Sequence, residues 1–258
     1  MSTPFLPIAA LVQELGNGRM EPELAAVLSE CHRRGLPATT FVEKRLLRRQ
    51  LALDPATLVA GYISVVLGAL RQLGVAPPAP LDYPEALWPW LRRRVWPATL
   101  GAVIEYVFAG EGPPVFVKPR AQQKRFTGTV LATPDDLASL EDTRPSTPVW
   151  CAEAVDWRSE WRMFVIGGQM VGQRHYAGDP ALLPNPVVVA VALDAFNQVG
   201  APAGYALDVG VLADGNTALV EVNDGFGLGA YGLDAAIYTD LLIARWAELM
   251  RNCAPLSR

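Results

Sequence analysis

The sequence predicts a mixed α/β protein, and three observations carry that prediction. Strand-like and helix-like runs alternate between Pro22 and Gly74; the stretch from Val115 to Tyr176 is a series of short β-rich runs; and a helical pattern from Asp234 to Met250 closes the chain. In the first part, Leu24, Val27, Leu28 and Cys31 recur at helical spacing, with Gly35 placed to end that helix. Leu36 to Val42 and Thr57 to Gly61 read as extended, and Ile63 to Leu73 returns to a helix stopped by Gly74. Four prolines between Pro77 and Pro84 make a stiff connector, followed by the crowded set Trp88, Trp90, Arg92, Arg93, Arg94 and Trp96.

Beyond Gly110 the expected strands are Val115 to Lys118, Thr127 to Leu131, Val149 to Glu153, Glu160 to Ile166 and Gln169 to Tyr176, the last two joined at Gly167-Gly168 as a tight hairpin. Thr133-Pro134-Asp135-Asp136 reads as the start of a short helix running to Glu141, with Thr133 as its N-cap. Val187 to Val199 reads as a buried helix, although its valines also suit a strand. Tyr205 to Leu212 and Thr217 to Val222 form a second expected hairpin.

The chain has 258 residues, 51% of them hydrophobic and 19% charged, enough for one sizeable core or two modest ones. A formal net charge of −4 argues against bulk nucleic-acid binding. Three dispersed cysteines, Cys31, Cys151 and Cys253, fit a reduced compartment and offer no zinc site. Residues 1–20 lack the pattern of a signal peptide and no uncharged stretch suffices for a membrane span, so the expectation is a cytoplasmic protein without a membrane partner.

Asp208, Glu221 and Asn223 are the most specific constellation, spread over the two strands of the second hairpin. Glu221 and Asn223 share a face because strand side chains alternate. Oxygen donors converging from neighbouring strands suit a hard Mg²⁺ ion. Equally, Asp208 could be a turn-side acid and Asn223-Asp224-Gly225 the loop out of the strand. Lys118 ends an apolar run and precedes a basic, glycine-terminated segment, Gln122 to Gly128, that suits polyphosphate but reads by itself as a solvated turn. Arg162 and Arg174 lie on the two arms of the first hairpin and share a side only if its register permits. A Walker-type phosphate loop is missing, and Gly227-Leu228-Gly229-Ala230-Tyr231-Gly232, though it matches G-x-G-x-x-G, leaves too little chain for a dinucleotide unit. That segment reads as a flexible loop over the site. The arginine run Arg92 to Arg94 reads as a solvated helix face, and neither His32 nor His175 has the partners of a catalytic triad.

Taken together, these residues resemble the ATP-grasp superfamily, most closely the clade marked by one arginine and two lysines. The resemblance runs from about Leu87 to Leu249. Val115-Phe116-Val117-Lys118-Pro119 looks like the strand of the first ATP-binding lysine, and Lys124 in Lys124-Arg125-Phe126-Thr127-Gly128 looks like the second. Trp150 to Val155 is similar to the hinge whose backbone reads adenine, which would make Glu153 and Val155 main-chain contacts. Glu160 matches the ribose-binding acid, Arg162 the signature arginine, and Asp208, Glu221 and Asn223 the metal set. Where many relatives carry an arginine two positions before the first metal acid, this chain has Ala206, so Arg162 or Arg174 would supply that charge.

The resemblance implies an ATP-grasp fold over residues 87–258, hinged near 150–156, preceded by a small α/β domain over residues 1–86. It further implies ATP and Mg²⁺ as cofactors and a carboxylate–amine ligase working through an acyl phosphate. The expected partners are a small-molecule or peptide carboxylate and an amine, and a homodimer is compatible with it. A kinase-like phosphotransferase and a silent nucleotide-binding module are the alternatives.

Overall fold

The structure is a computed structural model that describes residues 6–110, 112–120, 126–140 and 142–251. It contains three sheets. The first is parallel, with order β2-β1-β3, built from β1 (Ala9–Glu14), β2 (Ala38–Val42) and β3 (Thr57–Ala60). Helices α1 (Pro22–Arg33), α2 (Glu43–Leu47) and α3 (Ile63–Gln72) connect and cover it. Gly35 and Gly74 follow α1 and α3 with φ of 69° and 76°, the left-handed turn that lets a chain leave a helix end.

The second sheet is antiparallel, order β4-β7-β5-β6, from β4 (Val95–Thr99), β5 (Val115–Pro119), β6 (Thr129–Leu131) and β7 (Pro148–Glu153). Helix α4 (Leu100–Ala109) packs on it, capped by the Thr99 hydroxyl and ended by Gly110 at φ 67°. The third, also antiparallel, has order β11-β10-β8-β9, from β8 (Trp157–Ile166), β9 (Gln169–Gly178), β10 (Gly204–Leu212) and β11 (Thr217–Asp224). Gly167 and Gly168 both have positive φ, as the tight turn between β8 and β9 requires. Helix α5 (Pro186–Gln198) settles the valine-rich segment as a helix, because Asn185 accepts hydrogen bonds from the N–H groups of Val187 and Val188 and Pro186 occupies the first turn. Helix α6 (Ala235–Met250) closes the chain behind its Asp234 cap.

Three apolar clusters hold these layers together. One joins the parallel sheet and α3 to α6 and to Phe164, Ala206 and Phe226; a second fills the space between the third sheet, α5 and the connector; a third lies between the second sheet and α4. No described helix is long and apolar enough to cross a membrane.

Several expectations change. The segment after Thr133 is a 3-10 helix, Pro134–Leu140, and its capping runs backwards: Asp136 accepts from the N–H groups of Ala132 and Thr133 and from the Thr133 hydroxyl. The arginine run is not a solvated helix face. It lies between a 3-10 turn, Glu85–Trp90, and β4, and its middle member turns inward: Arg93 donates to the carbonyls of Leu219 (2.6 Å) and Val220 (3.0 Å), capping the edge of β11. Four named elements, β1, α2, β4 and α4, and the 3-10 turn Glu85–Trp90 have no counterpart in the sequence reading.

Candidate functional site

Strand pairing aligns four charged residues in one row across the third sheet. Glu221 lies opposite Asp208, Asp208 opposite Arg162, and Arg162 opposite Arg174. The register therefore places both hairpin arginines on one side. Asn223 stands in the next row, opposite Ala206. Two bulges adjust this surface. One in the β10–β11 pair makes Val220 the extra residue beside Glu221, and one in the β8–β9 pair makes Tyr176 the extra residue, with its hydroxyl donating to Glu160 at 2.9 Å.

The row is tightly bonded. Arg162 grips Asp208 through two parallel hydrogen bonds, Nε to Oδ1 at 2.8 Å and Nη2 to Oδ2 at 2.7 Å, and donates Nη1 to the Gly229 carbonyl at 3.1 Å. Asn223 Nδ2 donates to Asp208 Oδ2 (3.0 Å) and Glu221 Oε1 (3.1 Å), so carboxylates from two strands already reach a common point. Facing them from the second sheet, Lys118 Nζ lies 2.6 Å from Glu221 Oε2 and 2.6 Å from Asp82 Oδ1, and 4.8 Å from the centre of the Tyr83 ring.

Burial drives the acid–base character here. It pushes Asp208 up to about 6, against the pull of Arg162, and it raises Glu160 despite the Tyr176 hydrogen bond. For Glu221 burial also pulls upward, but Lys118, Asn223 and Arg162 outweigh it and hold the carboxyl below its ordinary value. Lys118 is raised: burial works against its charge, and Glu221, Tyr83 and Asp82 more than compensate.

Lys118, Glu160, Asp208 and Glu221 border a cleft of about 620 Å³ between the second and third sheets. Its described walls include Lys118, Glu160, Arg162, Asp208, Glu221 and Asn223, together with Phe116, Gly128 and the Gly227–Gly229 loop. The loop is fixed at several points: Arg162 and Arg174 donate to the carbonyls of Gly229 and Gly232, the Tyr238 hydroxyl donates to that of Leu228, and Tyr231 stacks on Tyr176 with ring centres 5.1 Å apart. Among the described lining residues are five acids (Asp82, Glu160, Asp208, Glu221, Asp224) against two cations (Lys118, Arg162). Such a surplus of buried carboxylate favours a bound cation, and Asp208, Glu221 and the amide of Asn223 give the oxygen chemistry that Mg²⁺ accepts. No group of three or more His, Cys, Asp or Glu side chains converges among the described residues; the set here has two acids and an amide.

Three other expected site residues, Arg174, Glu153 and Val155, are not among the cleft's lining residues. Arg174 is largely spent on the carbonyls of Gly232 and Gln173. Glu153 is tied to β4, its N–H donating to the Arg94 carbonyl and its carboxylate accepting from the Arg94 N–H. Val155 lies in the connection between β7 and β8, and Lys124 falls outside the described residues. Ala206 is fully buried in the apolar cluster that also holds Phe164, Phe226 and Leu228, and the guanidinium beside the acids is that of Arg162. The tryptophans 88, 90 and 96 are absent from the cleft lining; Trp88 hydrogen-bonds the Tyr83 carbonyl, and Trp96 carries Arg94 over its ring at 4.7 Å. His175 packs edge-on against Trp161. Sequence reasoning gave no role to Asp82, Tyr176 or Tyr231: the first two belong to no motif, and Tyr231 is a variable position of the Gly227–Gly232 segment.

Two antiparallel sheets closed on a cleft, one supplying a lysine and the other an arginine and an acid–acid–asparagine set, are the architecture of an ATP-grasp domain. The family model for the ATP-grasp domain of the one-arginine, two-lysine clade, family 2, matches residues 90–241, and the chain belongs to that family. No curated protein matches it. Among solved structures it is similar to a RimK domain ATP-grasp protein from Sphaerobacter thermophilus DSM 20745 (20% identity, 91% of this chain and 99% of that one, TM-score 0.53). It is also similar to the macrocyclase MdnC of Microcystis aeruginosa MRC, solved with precursor peptide MdnA (14% identity, 91% and 99%, TM-score 0.53). A third likeness is to D-alanine–D-alanine ligase from Bacillus anthracis (14% identity, 95% and 98%, TM-score 0.52). At these identities the likeness is one of fold.

Proposed function

We propose that the protein is an ATP-dependent carboxylate–amine ligase, with residues 87–258 as the grasp, hinged near 150–156, and residues 1–86 as the preceding domain. The observation that carries this reading is the opposition of Lys118 on one sheet to the Glu221–Asp208–Arg162 row on the other across a cleft rich in carboxylates. Family membership and the names of the structural neighbours support it; they include small-molecule and peptide-modifying enzymes, and both kinds of substrate are compatible with the cleft.

In this reading a substrate carboxylate oxygen attacks the terminal phosphorus of ATP, the bond to the bridging oxygen breaks, and ADP departs. The amine then attacks the carbonyl carbon of the acyl phosphate, inorganic phosphate leaves, and the amine gives up a proton. No side-chain nucleophile is needed. The barrier lies in bringing anions together, so the residues act by position and charge. Lys118, with Lys124, grips phosphate oxygens. Arg162, held rigidly by Asp208, presents a fixed positive charge beside them. Asp208, Glu221 and Asn223 would hold Mg²⁺, which neutralises phosphate charge when bound. Glu160 takes the ribose, and the main chain of Glu153 and Val155 reads the adenine edge, with Glu153 limited to its carbonyl because its N–H is spent on Arg94. The Gly225 to Gly232 loop covers the reacting atoms and keeps water from the acyl phosphate.

Phosphorus NMR of Mg-ATP with the protein and a pool of amino acids and short peptides tests the proposal. ADP and phosphate should form only when the pool is present, and neither Lys118→Ala nor Asn223→Ala should produce them. A stable phosphorylated product without phosphate release would replace the ligase with a phosphotransferase. Full activity in both variants would refute the site assignment.

A further inference from the structure

Asp82 lies in the proline-rich connector, outside every motif of the family resemblance, yet it lines the cleft beside Lys118. Two hydrogen bonds fix it independently of Lys118. Its backbone takes a left-handed conformation, φ 42°, and its carbonyl accepts the Val222 N–H at 2.8 Å, bridging the connector to the edge of β11 between Glu221 and Asn223. Its Oδ2 accepts from Trp150 Nε1 at 3.1 Å. Trp150 lies opposite Lys118 in the β5–β7 pair, so indole and lysine come from the same face of the second sheet. Tyr83, the next residue, packs edge-on against Trp150 and under the Lys118 ammonium. Asp82 Oδ1 then meets Nζ at 2.6 Å.

Lys118 therefore has two acidic partners of different kinds. Glu221 also serves the acid–amide set and would turn toward a cation bound there, whereas Asp82 has no such second demand and is anchored by backbone and indole. From this geometry we infer that Asp82 is a positioning residue: it holds the Lys118 ammonium where it can grip nucleotide phosphates once Glu221 is drawn away. An acid delivered from outside the lysine's own sheet serves the same purpose in protein kinases, where a helix-borne glutamate holds the phosphate-contacting lysine. Here the connector would do so, making the phosphate grip depend on how residues 77–84 seat against β11. The inference rests on the ATP-binding reading above.

Calorimetric titration of ADP and of adenosine into the unmutated protein, Asp82→Asn and Trp150→Phe tests it. Asparagine retains an oxygen acceptor for the indole and replaces the charged Oδ1 that faces Lys118 with an uncharged NH2 group. Asp82→Asn should weaken ADP binding about tenfold, the scale of a lost charge-assisted bond, while adenosine affinity is unchanged. Trp150→Phe, which frees one anchor, should show the same selectivity with a loss of a few-fold. A merely structural defect would weaken both ligands together, and that result, unchanged ADP affinity, or tighter ADP binding in Asp82→Asn would overturn the assignment. If Asp82→Asn does not fold, Trp150→Phe decides by the same criteria. If the unmutated protein itself fails to prefer ADP to adenosine, the nucleotide reading falls, which is a distinguishable failure.

Discussion

The two cations of the cleft are held in contrasting ways. Arg162 and Asp208 sit on adjacent strands of one sheet, directly opposite each other, with side chains only 7% and 2% exposed. Lys118, Asp82 and Glu221 come from three separate pieces of the molecule, the second sheet, the connector and the third sheet, and are 12%, 16% and 28% exposed. The first pair is completed by folding a single sheet; the second cluster is completed only when two sheets and a connector meet. The difference separates a preorganised electrostatic element from an assembled one, and it predicts that damage to the first will be felt in stability and damage to the second in binding and turnover.

The largest effect should follow from Asp208→Ala. It leaves the Arg162 guanidinium buried without its bidentate partner, a class of change that costs about 3–5 kcal/mol. Urea unfolding should show that loss in the midpoint at constant slope. A loss well under about 1 kcal/mol would mean that Arg162 finds water or another partner, and the contrast between the two halves would collapse. Lys118→Met is the complementary test. The two carboxylates it abandons are 16% and 28% exposed, more open to solvent than the 7% of Arg162, so the loss of stability should be well below that of Asp208→Ala while turnover disappears. A melting point lowered as much as in Asp208→Ala would show that the lysine cluster is itself a structural staple.

Much of the rigid half was legible in the sequence, and little of the assembled half was. Period-two alternation places Glu221 and Asn223 on one face, and the two hairpin turns point to Glu221 beside Asp208 and Arg162 beside Arg174; the β8–β10 pairing that brings Asp208 and Arg162 together joins strands not consecutive in the chain and left no mark in the sequence. Strand β1 left no such trace, because it is the middle strand of a parallel sheet: with three of its six residues buried on no simple alternation, Ala-Ala-Leu-Val-Gln-Glu has neither a helical period nor a strand period. Strand β4 was obscured by Pro97, which an edge strand tolerates. Asp82 was invisible for another reason. Its role comes from contacts with residues 68 and 140 positions away, Trp150 and Val222, and a proline-rich connector announces stiffness, not chemistry. Arg93 is the same lesson in reverse: three consecutive arginines look alike in sequence, and only the packing of β11 selects the one that turns inward.

A smaller effect should come from Gly227, where the covering loop meets the N-terminal part of the chain. Its φ is 63°, and an added Cβ would stand 2.6 Å from Ile63 Cγ1 and 2.7 Å from the Ile63 nitrogen. Both Gly227 and Ile63 line the cleft. Gly227→Ala should therefore cost about 1–2 kcal/mol and displace the loop. Because the loop carbonyls are bonded to Arg162, Arg174 and Tyr238, the displacement should lower turnover more than it lowers nucleotide affinity. Equal losses in both would place the loop's role in nucleotide binding instead of in covering the reacting atoms.

The smallest effect separates assembly from burial, using a charge cluster far from the cleft. Arg33 and Arg34 bond Glu30 at 2.6 Å, and Arg34 also reaches Asp240 on α6, so this cluster joins two helices but leaves Arg33 largely in water. The hydrogen bonds from Arg33 and then Arg34 hold the Glu30 carboxyl at about 2, down from its ordinary 4.5. A carboxyl depressed by folding contributes stability above the unfolded value, and that contribution disappears as pH falls through the folded one. Glu30→Gln should therefore be less stable than the unmutated protein at and above pH 4.5, with the difference shrinking between pH 4.5 and 2 and gone below. Thermal melts across that range measure it. A difference that does not narrow on acidification would mean that Glu30 contributes through packing and hydrogen bonding of its uncharged form, and that a cluster bridging two elements around a buried acid follows the Arg162–Asp208 pattern and not the Lys118 one.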